Sequence, residues 1–393
     1  MPIADTNNNE VFMSDILISQ LELYRYHIDL APNLPVASQR INQRHGLVIS
    51  ASLTNGRQAF VEISPLSGTD ITSAALTGFS HESLADAINQ LTPILPSLVG
   101  KKVNHIDDVI AAETLVPSVA FGLSLLALKL NGAFDHPQYD YAQSMQSKIG
   151  LFYYQPESDL NMLQAKIAQL DKRSYSVKVK VAQASIEQEI TYIHQILEVN
   201  PKLKLRLDAN QGFTPEQAIE FLACVPKASI EYIEEPCKTL ADSQLVYQSL
   251  KIPFALDESL NDNSYQFEML NGLTALVIKP TIIGDIKKLK ALITTANSHG
   301  VRCILSSSLE ANLGINDLAK LSYMLTPDET PGLDTLSSFT EPLIDNQGLL
   351  NMQVCQLLQS ETLIQDQPQE LNQDQTQILT QTQATEIEDH GKN

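Results

Sequence analysis

SVKVKVAQASIEQEITYIHQILEVNPKLKLRLDA, residues 176–209, sets out a short strand, an amphipathic helix-length stretch and a second short strand. Val177 and Val179 alternate with Lys178 and Lys180, the period of a strand whose two faces differ. The same unit recurs outward in both directions. KIGLFYY (148–154) precedes it, and SIEYIEE (229–235), PFALDES (253–259), TALVIKP (274–280) and VRCILSS (301–307) follow, most of them separated by a helix-length segment such as IKKLKALITTANSHG (286–300). Short apolar strands alternating with helices predict a parallel β/α architecture. About 185 residues of it suit a closed barrel better than an open doubly wound sheet. No glycine-rich phosphate loop follows the first strand, which argues against a nucleotide-binding Rossmann unit.

Upstream the rhythm is different. LELYRYHIDL (21–30), GLVISASL (46–53) and RQAFVEIS (57–64) alternate with period two and are joined by polar turns such as TNGR, which predicts an antiparallel meander. SHESLADAINQLTPIL (80–95), with Ser80 as its cap, and SVAFGLSLLALKL (118–130), apolar nearly all round, predict two helices, the second buried. Residues 15–135 therefore form an expected α+β domain, and 136–339 the β/α barrel. The apolar GLLNMQVCQLL (348–358) needs a surface to bury against, so a return of roughly residues 340–358 to complete the first domain is expected. Residues 1–14 are polar, and 361–393 hold eight glutamines, seven acids and one lysine; both are expected to be disordered.

Five consecutive barrel strands end in ionisable residues, at the end where barrel enzymes keep their active sites. Lys178 and Lys180 share the inward face, Asp208 ends LRLD with Arg206 on its face, Glu234 ends YIE, Asp257 ends FALD, and Lys279 ends VIK. Taken singly, each acid reads equally as the first solvated residue of a βα loop. The lysines resist that reading, since two ammonium groups inside a valine-rich strand need anionic partners. Together, Asp208, Glu234 and Asp257 offer a hard oxygen site for one octahedral divalent cation, Mg²⁺ by preference with Mn²⁺ as a substitute. Lys180 and Lys279 would flank a carboxylate substrate bound there, an arrangement for removing the proton α to that carboxylate.

The ordered set KVK, LRLDAN, EEP, DES and VIKP resembles the enolase superfamily, muconate-lactonising subgroup. LRLDANQGFTP, EEPCKT, VIKPTIIG, ILSSSLEANLG and TPDETPGLDTL, with EISPLSG and PSVAFG in the first domain, are closest to its o-succinylbenzoate synthase family of menaquinone biosynthesis. That resemblance implies a modified TIM-type (β/α)7β barrel with an N-terminal capping domain. It implies Lys180 as the acid/base, Lys279 as an opposing cation, Lys178 as the partner that lowers the pKa of Lys180, and Asp208, Glu234 and Asp257 as Mg²⁺ ligands. The implied reaction is a syn dehydration in which one lysine takes the α-proton of a cyclohexadiene carboxylate and returns it to the departing hydroxyl, leaving an aromatic ring. Ser306, Ser307 and Ser308, with Gly332, resemble positions that hold the succinyl carboxylate, in part through backbone N–H groups, and Arg206 either reaches substrate or pairs with an acid inside the barrel. EISPLSGTDITSAALTGFS (62–80) is longer than the family pattern and is a candidate lid. The alternatives on the same scaffold are an N-acylamino acid racemase, a dipeptide epimerase or a cycloisomerase, which need both lysines as bases.

Composition bounds the partners. With 46 acidic and 26 basic residues in 393, the net charge of −20 and the lack of a basic cluster argue against nucleic acid and anionic bilayers. No run approaches the ~18 uninterrupted apolar residues of a membrane span, and the N-terminus lacks a signal-peptide pattern. Four dispersed cysteines form no CxxC motif, and a cytoplasmic location is expected.

Overall fold

A computed structural model describes residues 15–36, 39–77, 79–135, 149–156, 159–170, 175–262 and 265–363. Residues 1–14 and most of the acidic tail lie outside them. The first domain opens with β1 (Ile18–Val36), β2 (Gln39–Leu53) and β3 (Gln58–Ile63), an antiparallel meander in the expected place. Helices α1 (Leu84–Leu98), α2 (His105–Ala112) and α3 (Pro117–Leu130) cover one face of this sheet. α3 is buried nearly all round because it lies between β3 and the barrel.

The start of α1 differs from the sequence expectation. Its cap is Ser83, which accepts from Asp86 N while the Asp86 carboxylate accepts from Ser83 N, a capping box worth about 1 kcal/mol. Ser80 instead accepts from the backbone of Leu66, and Glu82 accepts from Ser118 N at the start of α3. The long-range hydrogen bond from Leu66 N takes the Ser80 hydroxyl that the sequence reading assigned to the cap.

The second domain is a curled parallel sheet of seven strands: β4 (Gly150–Tyr153), β5 (Ser176–Lys180), β6 (Lys204–Asp208), β7 (Ile230–Glu234), β8 (Phe254–Leu256), β9 (Leu273–Ile278) and β10 (Arg302–Leu305), paired in sequence order. Between them run α4 (Leu160–Ala168), α5 (Ile186–Val199), α6 (Pro215–Ala223), α7 (Leu240–Leu250), the short α8 (Pro280–Ile283), and α9 (Ile286–Ser298). α10 (Asn312–Leu325) follows β10, and the chain then bridges β10 in parallel through Ser306 and Gly332, an eighth position that completes the (β/α)7β order. The final strand β11 (Cys355–Thr362) returns to the first domain and pairs antiparallel with β1. It runs to Thr362, so Glu361 and Thr362 belong to a sheet and not to the polar tail.

The barrel is filled, not hollow. Tyr232, Ala255, Ala275, Val277 and Ile304 pack in its interior. At the N-terminal end of the strands, four charged side chains close it. Glu231 pairs with Arg206 at 3.1 Å and with Arg302, and Glu329 grips Arg302 at 2.6 and 2.7 Å. Ser176 donates to Glu231 at 2.7 Å. Removing one member of such a set leaves a buried guanidinium short of its counter-charge. Glu231→Ala is therefore expected to destabilise the fold by about 3 kcal/mol, near the lower end for buried pairs because Glu329 remains. Urea unfolding checks it, and an unchanged midpoint would show that the network contributes nothing.

Candidate active site

Pairing register brings the strand-end charges into one ring. Lys180 stands opposite Asp208, and Asp208 opposite Glu234, across β5, β6 and β7. Asp257 follows β8, and Lys279 follows β9 as the residue before α8. Three strands separate β5 from β9, so Lys180 and Lys279 approach the ring from opposite sides.

The charges solve each other's burial. One oxygen of Asp208, Oδ2, lies 2.7 Å from both the Lys178 and the Lys180 ammonium. Lys178 also meets Glu234 at 2.8 Å, and Lys279 pairs with Asp257. Burial opposes the charge on Lys178, but Asp208, Glu234 and Asp257 outweigh it and hold its pKa well above the ordinary lysine value. Burial likewise opposes the charge of Lys279, and Asp257 and Glu258 more than compensate, so its pKa is raised as well. The Asp208 carboxyl, for all its burial, is kept well below the usual range by its two lysines. Glu234 goes the other way, raised by burial and by the neighbouring charge of Asp208.

Three carboxylates on successive strands, with the Glu234 pKa raised by burial and by the neighbouring acids, are a donor set that a divalent cation would relieve. In the structure their oxygens are taken up by ammonium groups. Among the described residues no three His, Cys, Asp or Glu side chains are arranged as a metal cage.

A cavity of about 190 Å³ opens over the ring. Lys178, Lys180, Asp257, Lys279, Ser306, Ser307 and Gly332 all line it, so most of the expected residues are brought together. Its apolar rim comes from Leu34 and Val36 of β1 and from Leu66 and Phe79 of the 62–80 loop, while the Lys279 ammonium sits 5.9 Å from the Phe79 ring centre.

Asp208 and Glu234 are buried and do not line the cavity, and Arg206 is a correction. It points into the barrel toward Glu231 and Glu329 and stacks on Tyr232 at 5.6 Å, away from the cavity. Both placements lie on the inward face of β6; acids at the N-terminal end of the barrel decided between them. The serine loop also differs from expectation. Its backbone N–H groups are already used, Ser306 N on Ile278, Ser307 N on Gly332 and Ser308 N on Glu310. Any anion there would meet hydroxyls instead. Ser306 Oγ donates to the Gly332 carbonyl and Ser307 Oγ shares a hydrogen bond with Thr335, whereas the buried Ser308 hydroxyl has no hydrogen-bond partner among the described residues. A Cβ at Gly332 would lie 2.8 Å from Ser306 Oγ, so a side chain there would displace that hydroxyl.

Three residues outside the assigned set support the site. Asn210 accepts from Lys180 at 2.6 Å and donates to Glu258 at 2.7 Å. Glu258 lines the cavity, its pKa raised to about 7 by burial and by Asp257. Glu235, at φ 42°, accepts from the backbone N–H groups of Asp257 and Ser259 at 3.0 and 2.8 Å and so holds the turn that presents Asp257. Their only signal was position within LRLDAN, EEP and DES, since the hydrogen bonds link different strands.

A capped (β/α)7β barrel with opposed lysines and carboxylates at the strand ends is the acid/base architecture of the enolase superfamily. Residues 163–353 match the family described as Enolase C-terminal domain-like, and residues 18–130 match MenC, N-terminal domain. The chain is 33% identical over 330 residues to the o-succinylbenzoate synthase of Vibrio cholerae serotype O1 (strain M66-2), covering 82% of this chain and 90% of the relative. It is 33% identical over 317 residues to that of Haemophilus influenzae (strain ATCC 51907 / DSM 11121 / KW20 / Rd), covering 80% and 89%. On this evidence the chain belongs to the o-succinylbenzoate synthase family. Solved structures agree on the fold. The o-succinylbenzoate synthase of Thermosynechococcus elongatus BP-1, complexed with Mg, superposes with TM-score 0.58 at 20% identity over 80% of this chain and 92% of that one. The dipeptide epimerase of Enterococcus faecalis V583, with Mg and L-Leu-L-Tyr, gives 0.64 at 19% identity over 84% and 93%.

Proposed function

We propose that the chain dehydrates 2-succinyl-6-hydroxy-2,4-cyclohexadiene-1-carboxylate to 2-succinylbenzoate, with Lys180 moving both protons. The observation that carries this is the ring itself, Lys180 and Lys279 on opposite sides of a cavity of about 190 Å³ that Asp257 also lines, with Asp208 and Glu234 buried and paired to Lys178, in a chain whose curated relatives bear that name.

Lys180, held by Asp208 and Asn210, reaches the cavity and takes the α-proton. The C–H pair becomes the enediolate, then the ring double bond as hydroxide leaves from the same face, and the Lys180 ammonium returns its proton to that oxygen to release water. Lys178 stays protonated beside it, held by Asp208 and Glu234, and keeps a fixed positive charge next to the acid/base lysine. Lys279, paired with Asp257 and close to Phe79, serves as a fixed cation near the ring. Asp208, Glu234 and Asp257 would hold a divalent cation, Mg²⁺ by its preference for carboxylate oxygen. When bound it would supply positive charge against the enediolate oxygens. Ser306, Ser307 and Gly332 form the wall that receives the succinyl arm.

The epimerase-like neighbours make a two-base racemase the reading to test against. Purified enzyme is given the cyclohexadiene, with formation of the aromatic product followed by ultraviolet absorbance, and in parallel N-succinylamino acids in D₂O. Aromatic product is the expected result. Rapid α-deuteration without aromatisation would replace the synthase by a racemase.

A further inference from the structure

Arg44 of β2 is 3% exposed and directs its guanidinium at backbone carbonyls. Nε donates to Leu309 O at 2.9 Å. One Nη donates to His45 O at 2.9 Å and Pro65 O at 3.1 Å, and the other to Ser308 O at 3.2 Å and to Ser64 O. All five N–H groups of the side chain are thereby used. Ser308 and Leu309 belong to the barrel segment after β10 that lines the cavity; Ser64 and Pro65 begin the loop whose Leu66 lines the same cavity. One side chain of the first domain thus ties two walls of the site, from two domains, at a single point.

Two carboxylates secure the same segment. Glu310 accepts from Ser308 N at 2.6 Å and from Thr281 Oγ1 at 2.7 Å. Glu62 of β3 accepts from Tyr26 OH at 2.6 Å and from Ala311 N and Gly314 N, each at 2.9 Å. α10 has Ala311 at its cap position and no side-chain cap of its own, so Glu62 supplies one from the other domain. A Cβ at residue 314 would lie 2.6 Å from Glu310 Cβ and 2.9 Å from Glu62 Oε2, so the close packing of both acids needs Gly314. Leu309 itself has φ 60°, a left-handed conformation that a residue with a branched side chain keeps only when its neighbours hold it there.

We propose that Arg44 is a positioning residue for substrate binding. By fixing the Ser308 and Leu309 carbonyls to the 64–66 loop, it holds the serine wall, whose Ser308 hydroxyl has no partner among the described residues, at the distance the substrate requires. It acts on binding geometry, not on proton transfer, because its contacts are all to backbone carbonyls, four in the two walls and one at its neighbour His45, and none to the lysines. Lysine cannot replace it, having three donors on one nitrogen instead of a planar fork. The proposal rests on reading the cavity as the substrate site.

The test compares full-length wild type, Arg44→Gln and Arg44→Lys by steady-state kinetics on the cyclohexadiene and by hydrogen exchange of the 64–66 and 306–311 segments. Arg44→Gln is expected to raise KM about 10-fold or more with kcat lowered less than about 3-fold, the signature of lost binding and not of lost chemistry. Exchange should quicken in the two segments and stay unchanged in β5–β7, with Arg44→Lys intermediate in both readouts. Should Arg44→Gln fail to fold, Arg44→Lys carries the same comparison. An unchanged KM in a folded variant, or a fall of kcat and KM together with faster exchange everywhere, overturns the proposal. If wild type turns over no cyclohexadiene, the proposed reaction fails by itself, and local exchange alone decides on the clasp: unchanged exchange in Arg44→Lys refutes it.

Discussion

Lys180→Ala is expected to reduce kcat by about 10³-fold or more, the upper range for a lost general acid/base, because one amine performs both proton transfers. The geometry leaves no substitute. Lys178 is spent on Asp208 and Glu234, and Lys279 stands on the opposite side against Asp257. The variant should fold, since Asp208 keeps its 2.7 Å contact with Lys178. Lys279→Arg should retain measurable turnover if that residue contributes only charge, although its planar guanidinium fits a crowded site poorly. The measurement is initial rate at saturating substrate beside the thermal midpoint. More than about one per cent residual turnover in folded Lys180→Ala would assign the proton transfers elsewhere.

Removal of divalent cations by chelation is expected to abolish turnover, and Mg²⁺ to restore it. Without a cation, Asp208, Glu234 and Asp257 crowd one another; burial and Asp208 already push Glu234 up. Asp257→Asn removes one charge from a hard-oxygen site and should weaken Mg²⁺ binding by about 100-fold or more, beyond what loss of an outer-shell partner costs. Calorimetric titration of the chelated protein reads this independently of activity. Because Asp257 also pairs with Lys279, the variant frees that ammonium as well. Full turnover by metal-free enzyme would sink the ligand assignment for all three acids.

Much of this was legible in one dimension. Period-two and helical patterning located the meander, the buried α3 and all seven strands β4–β10, because burial of one face leaves its mark along the chain. Lys178, Lys180, Asp208, Glu234, Asp257 and Lys279 were legible for a related reason. Parallel strands of a barrel end at one rim, so charges at the ends of successive strands must meet. What sequence could not decide was which of two partners a side chain chooses when both lie far along the chain. Arg206 had an inward face either way and went to Glu231 and Glu329. Ser80 read as the cap of α1, but Leu66 N claims its hydroxyl and Ser83 caps the helix. Asn210, Glu235, Glu62 and Arg44 act through hydrogen bonds between strands or between domains, Arg44 reaching Leu309 across 265 positions. Periodicity records burial, a property of one residue and its neighbours in sequence; hydrogen-bond choice depends on pairs, and only the folded chain brings those pairs within 3 Å.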